Sequence, residues 1–279
     1  MKKTMTALIG CACVALLFFA CGKSKETSAG GAAAASQSAA APAAVPERTG
    51  MKKIGDMADA WTALYNQNEA AINSYEGMPI MGLVTPPLAL AMATQFDMMN
   101  IDERDGRFEG KMMLAGYKGF VERSGSLLTF GYDDTLQKDG FGPAHKAGTR
   151  VKGGGSLDLA KEYFIWHTHN EQEGKEVDRD FTQFKRLADG SMICLAMNGR
   201  LFNMRGDADP ADSVIYLHNG PGRYDFVIAK GKNGPGFTPI SFAEQGDLTQ
   251  AQAVELIKAA GYVIEHSGRI QGGKLVLDE

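Results

Sequence analysis

Apolar positions change their period several times along this chain, and the changes divide it. Ala7–Ala20 is an unbroken apolar run of fourteen residues. From Ser24 to Gly50 the pattern collapses into Ala, Ser, Gly and Pro with no aromatic residue. Such a stretch cannot bury enough apolar surface to offset chain entropy. Ile54, Met57, Trp61, Leu64, Ala71, Ile72 and Tyr75 then recur at helical spacing and predict an amphipathic helix. It should end near Glu76-Gly77. Met78–Phe96 follows, nineteen residues without a formal charge. Thr85 before Pro86-Pro87 predicts a second helix from about Pro86 to Asn100.

From Arg107 to Lys230 the period shortens to two. The expected strands are Arg107–Leu114, Gly119–Arg123, Leu127–Tyr132, Glu162–His169, Phe181–Leu187, Met192–Met197, Leu201–Arg205, Val214–His218 and Tyr224–Lys230. Ser124-Gly125, Asp189-Gly190, Asn198-Gly199 and Asn219-Gly220 supply hairpin chemistry between them. Short turns impose antiparallel pairing. Tyr224, Phe226 and Ile228 alternate with Arg223 and Asp225, which predicts one wet face. Gly140-Phe141-Gly142-Pro143 and Gly153-Gly154-Gly155 mark a longer loop between about 133 and 160. Near the C-terminus, Asp247 caps a predicted helix to about Ala260, with Leu248, Ala251, Val254, Ile257 and Ala260 on one face and Gly261 as its stop. A last hairpin pairs Tyr262–His266 with Lys274–Leu277. The expected class is α+β: a long, curved antiparallel β-meander flanked by N-terminal amphipathic helices and a C-terminal helix plus hairpin.

Composition adds limits. The chain is 44% hydrophobic and 22% charged, which excludes wholesale disorder and a polytopic membrane protein. Net charge is −4 without a basic block, so no nucleic-acid partner is expected. Cys11, Cys13 and Cys21 lie at the N-terminus and only Cys194 lies beyond them, so no internal disulfide framework is available.

Lys2-Lys3 followed by the run to Ala20 has the form of an export signal; a spanning helix needs roughly 20 apolar residues. Phe18-Phe19-Ala20-Cys21 resembles the lipobox of bacterial lipoproteins, with Phe18 giving it the relaxed form of spirochaetes. The resemblance implies a signal peptide over 1–20, palmitate-type acyl chains on Cys21, a tether over 21–50 and one domain over 51–279. Cleavage before Cys21 removes Lys2 and Lys3 and leaves 27 basic residues against 33 acidic. Gly22 stands where inner-membrane retention in enteric bacteria uses Asp, which by resemblance leans toward the outer membrane.

The relaxed box, the Ala-rich tether and the apolar segments Ile54–Tyr75 and Met78–Phe96 together resemble treponemal outer-membrane lipoproteins whose amphipathic helices insert into bilayers. The expected function is a non-enzymatic, membrane-anchored envelope lipoprotein that engages lipid or a bilayer surface. Met78, Ile80, Met81, Leu83, Leu88, Met92, Phe96 and Met99 are its candidate contacts, because the flexible thioether adapts to varied partners. The competing structural reading makes the same residues a core helix over a sheet. A protein-binding envelope module is the second functional reading.

The third is a metal-dependent hydrolase at His167 and His169. Alternation puts both imidazoles on one face, and Glu171, Glu173, Asp178 or Asp180 could add a third ligand. Phe164–His169 resembles the first ligand pair of amidohydrolases over six residues, but hairpins stand where that family has a parallel barrel. No nucleophile elbow or phosphate loop is present, and Cys194 lies in a strand apolar on both faces. No cofactor is expected.

Overall fold

The computed structural model describes residues 50–73, 88–113, 116–140, 142–203, 205–241 and 248–278. They form an eleven-stranded antiparallel meander in which every strand pairs with its neighbours in sequence. The strands are β1 (Gly106–Lys111), β2 (Lys118–Ser124), β3 (Leu127–Thr135), β4 (Arg150–Asp158), β5 (Tyr163–Gln172), β6 (Lys175–Arg186), β7 (Met192–Phe202), β8 (Ala208–Gly220), β9 (Arg223–Gly231), β10 (Val263–Gln271) and β11 (Lys274–Leu277). Helices complete a partly α+β fold.

The first helix, Ile54–Asn73, turns Ile54, Met57, Trp61, Leu64 and Ile72 into one face of the sheet. Side chains from β2 (Val121) to β11 (Leu275) join the same cluster. At roughly 4.8 Å per strand a flat sheet of this size would be nearly 50 Å wide, so the sheet curls to bring them together. Trp61 meets Phe184 edge to face at 5.0 Å, a geometry the ring quadrupoles favour. Near the helix's other end, Asn68 Nδ2 donates to the Gly220 carbonyl at 2.8 Å, tying the helix to the β8–β9 turn.

Residues 88–93 are helical and run into a 3-10 turn, Thr94–Met99. Phe96 enters the core against Phe130. Asp97 accepts from the backbone N–H of Ile54 at 3.0 Å and of Gly55 at 2.7 Å. One carboxylate thereby satisfies two orphan donors at the start of the first helix and favours its positive end.

Among the described residues the outer face is covered only in part. Ile193, Leu195, Met197, Val214, Tyr216, Val227 and Ala229 pack there against Phe237, Ile240, Leu248, Ala253 and Ile257. The C-terminal helix, Gln250–Ala259, begins with a reciprocal capping box between Thr249 and Gln252. Gly261, with φ +89°, ends it.

Several sequence expectations need correction. The region read as a loop from 133 to 160 contains β4 and the continuation of β3. Asn198-Gly199 lies inside β7, so Leu201–Arg205 is no separate strand: the Gly234 carbonyl packs where a Cβ on Gly199 would stand. Pro221-Gly222, one step beyond Asn219-Gly220, makes the β8–β9 turn. The face of β9 carrying Asp225 is not wet, because Val227 and Ala229 beside it are covered. Thr249 is the helix cap; Asp247 lies outside the described residues, as does the expected helix end near Glu76-Gly77. In the C-terminal helix the buried stripe is Ala253 and Ile257, while Ala251 and Ala260 are exposed.

Two substitutions test this account. Trp61→Ala should cost roughly 3–5 kcal/mol through the cavity it leaves, and Asp97→Ala about 1 kcal/mol through the lost cap. Urea unfolding followed by circular dichroism measures both. A Trp61→Ala midpoint equal to the parent's would mean that the helix does not fill the sheet.

Candidate functional site

Four strands build the site in rows set by their register. The deepest row is Phe164, Phe184, Cys194 and Leu217, across β5, β6, β7 and β8. The next is Trp166, Thr182, Ala196 and Ile215, and the third is Thr168, Asp180, Asn198 and Ser213. Because side chains two residues apart share a face, the trough grades from apolar floor to polar lip. Leu88, Ala89 and Met92 cross it from the helical segment, enclosing a pocket of about 250 Å³. That size lies just under the usual range of small-molecule sites, ~300–1,000 Å³.

Tyr132 and Trp166 form the aromatic wall, their centroids 6.1 Å apart. The Tyr132 ring lies across β4 where a Cβ on Gly153 would stand. The glycine run is a slot for a ring here, not a phosphate loop. Burial pushes the Tyr132 phenol up, so it stays neutral.

At the lip, Thr168 Oγ1 donates to Asp180 Oδ2 at 2.9 Å and Asn198 Nδ2 to Asp180 Oδ1 at 2.6 Å. Burial raises the Asp180 carboxyl, opposed by these hydrogen bonds and by His145. Asp178 shares the face two residues away, between Asn170 and Arg200 on the adjoining strands. Its Oδ1 is closed to solvent and has no hydrogen-bond partner. Burial first, and the Asp180 charge second, push Asp178 up to about 7.

The sequence-designated residues fall unevenly. Leu88, 40% exposed, and Met92 line the pocket. Phe96 is a fully buried core residue, packed at a tilt against Phe130 and Trp166. Met99 is half-buried above Gly110. Met98 and Ile101 are 56% and 71% exposed and border one shallow hollow with Met99 and Phe108 and with the polar Asn100, Asp102 and Arg104. Cys21, Met78, Ile80, Met81 and Leu83 lie outside the described residues.

His167 and His169 stand on the opposite, outer face of β5. Burial, followed by the His169 and Arg179 charges, holds the His167 imidazole below its usual pKa. His169 Nε2 approaches Glu171 Oε1 at 3.6 Å, but Glu171 is held by Lys152 at 3.1 Å. Asp178 and Asp180 face the other side of the sheet, so they cannot complete a set with these imidazoles. Among the described residues no group of three His, Cys, Asp or Glu side chains is placed to hold a metal ion. His167 instead borders a wide outer depression of about 860 Å³, floored by Gly131 and Gly154. Cys194 is buried in the inner core, and burial raises its thiol far above the ordinary value, consistent with a packing role.

Sequence reasoning missed Trp166, Ala196, Ile215 and Tyr132 as pocket residues. The signal was present in the Asp189-Gly190 turn, which sets Asp180 opposite Asn198 once the strands are counted outward from it. Among the described residues no helix is long and apolar enough to cross a membrane. No family model, curated protein or solved structure matches the chain.

The Asp178 shift has a definite sign. A carboxyl whose folded pKa lies above its unfolded value of 3.8 stabilises the native state while protonated, and that contribution fades as pH climbs toward about 7. Asp178→Asn removes the titration, so its melting temperature should gain on the parent's between pH 4 and pH 8. A constant offset over that window would contradict the shift.

Proposed function

We propose that this chain is a non-enzymatic, membrane-anchored envelope lipoprotein whose sheet-and-helix domain holds the apolar part of a lipid. The carrying observation is the pocket beneath Leu88 and Met92, with Trp166, Ala196 and Ile215 as walls and a polar lip. Its size suits one acyl segment rather than a whole diacyl lipid. A hydrocarbon chain gains from removal from water along such walls at about 25 cal/mol per Å² of apolar surface buried. Met92 can adjust to chains of different shape.

Acyl chains on Cys21 would keep the domain at a membrane, each buried methylene adding ~0.8 kcal/mol. The stretch from Ser24 to Gly50 would act as a flexible spacer. The exposed apolar group of Met98 and Ile101 supports a second contact with the bilayer surface. On this reading the envelope, with the outer membrane favoured, is where the domain works.

The test uses the full chain carrying Cys21→Ser, so that no covalent acyl group competes. Purified protein should carry extractable lipid visible by mass spectrometry and should float with liposomes. Leu88→Asp/Met92→Asp, verified as folded by circular dichroism, should lose at least tenfold of both. Parent protein free of lipid and indifferent to liposomes would sink the proposal.

A further inference from the structure

The pocket walls favour a hydrocarbon tail, and the lip constrains the head attached to it. Asp180 borders the pocket. Each of its oxygens accepts from one neutral protein donor, and a carboxylate oxygen has a second lone pair to offer. Among the described residues no salt bridge holds Asp180 or Asp178. Arg200 and His145 act on the pair only through longer-range attraction. Thr168 and Asn198 direct these donors to Asp180 itself, and a second carboxylate, Asp178, lies two residues along the same face with one oxygen closed to solvent.

An anionic head following its tail into this pocket would stop beside the Asp180 carboxylate at the edge of an apolar cavity, with Asp178 two residues further along the strand. Like charges are costly there because little water screens them. A head that donates hydrogen bonds and carries no negative charge meets the opposite situation.

We infer that the lip selects amphiphiles by headgroup: an uncharged, hydroxyl-bearing head such as the glycerol of a monoacylglycerol donates to Asp180 while its chain lies against Trp166, Ala196 and Ile215, and a carboxylate head of equal chain length is refused. This rests on the lipid-binding reading of the same pocket, and it adds the class of ligand.

Trp166 supplies the readout. The full chain with Cys21→Ser is titrated at pH 8 with 1-monolauroylglycerol and, separately, with laurate, each below its micelle concentration, while tryptophan emission is followed. The monoacylglycerol should bind at least tenfold more tightly than laurate. Asp180→Asn should narrow that ratio below threefold, chiefly by improving laurate binding, and Trp166→Phe should abolish the emission change. Equal affinities in the parent would overturn the headgroup selection and leave the lipid pocket standing. No response to either ligand, or a response that survives Trp166→Phe, would overturn both. Should Asp180→Asn fail to fold, the two parent titrations still decide the point; a ratio unchanged in a folded Asp180→Asn protein would also count against the selection.

Discussion

A twisted sheet of eleven antiparallel strands curls, and a curled sheet has a trough that must be filled with apolar side chains or left wet. Here the first helix fills it. Trp61 sits against Phe184, and the helix is held at its two ends by different means: Asn68 reaches the β8–β9 turn, and Asp97 caps its first amides. The rest of the inner face follows from that placement. Beyond the helix, the 88–93 segment lies across the outer part of the trough. Asp97 belongs to the turn that continues this segment, so the pocket's roof and the main core helix share one electrostatic joint.

The gradation within the trough arises from strand alternation. A step of two residues along β5, β6, β7 and β8 moves together from Phe164, Phe184, Cys194 and Leu217 to Thr168, Asp180, Asn198 and Ser213. No single strand carries the amphipathic character of the pocket; it exists only when four strands are in register. The outer face shows the complementary economy. The C-terminal helix and the segment around Phe237 cover the outward apolar side chains of β7, β8 and β9, and carbonyls of that segment accept from Arg179 and Gln183 of β6. Among the described residues the glycine-floored side of β3 and β4 lines a depression.

The meander and most of its strands were legible from period-two runs between Gly-containing turns, because local turn chemistry dictates antiparallel pairing. The missed strand β4 and the false break inside β7 share one cause: glycine serves close approach as well as turning. Gly153 makes room for the Tyr132 ring and Gly199 for the Gly234 carbonyl, and both read locally as loop or hairpin. The helical segment at 88–99 was legible, with Leu88 and Met92 on its pocket side. Phe96 could not be separated from them by sequence, since a core contact and a ligand contact have the same hydropathy. The acidic lip was visible only as two aspartates near a His pair, because the face each one takes depends on register.

Strand β7 belongs to both apolar clusters: Met192, Cys194 and Ala196 point inward and Ile193, Leu195 and Met197 outward. Neither cluster can come apart without disturbing the other's side of the same backbone. The central sheet is therefore one cooperative unit, whose amides exchange with solvent only through near-global opening. Cys194, with no other cysteine beyond residue 21, is a built-in clock for that event. The rate at which a thiol reagent reaches it reports how often the whole domain breathes.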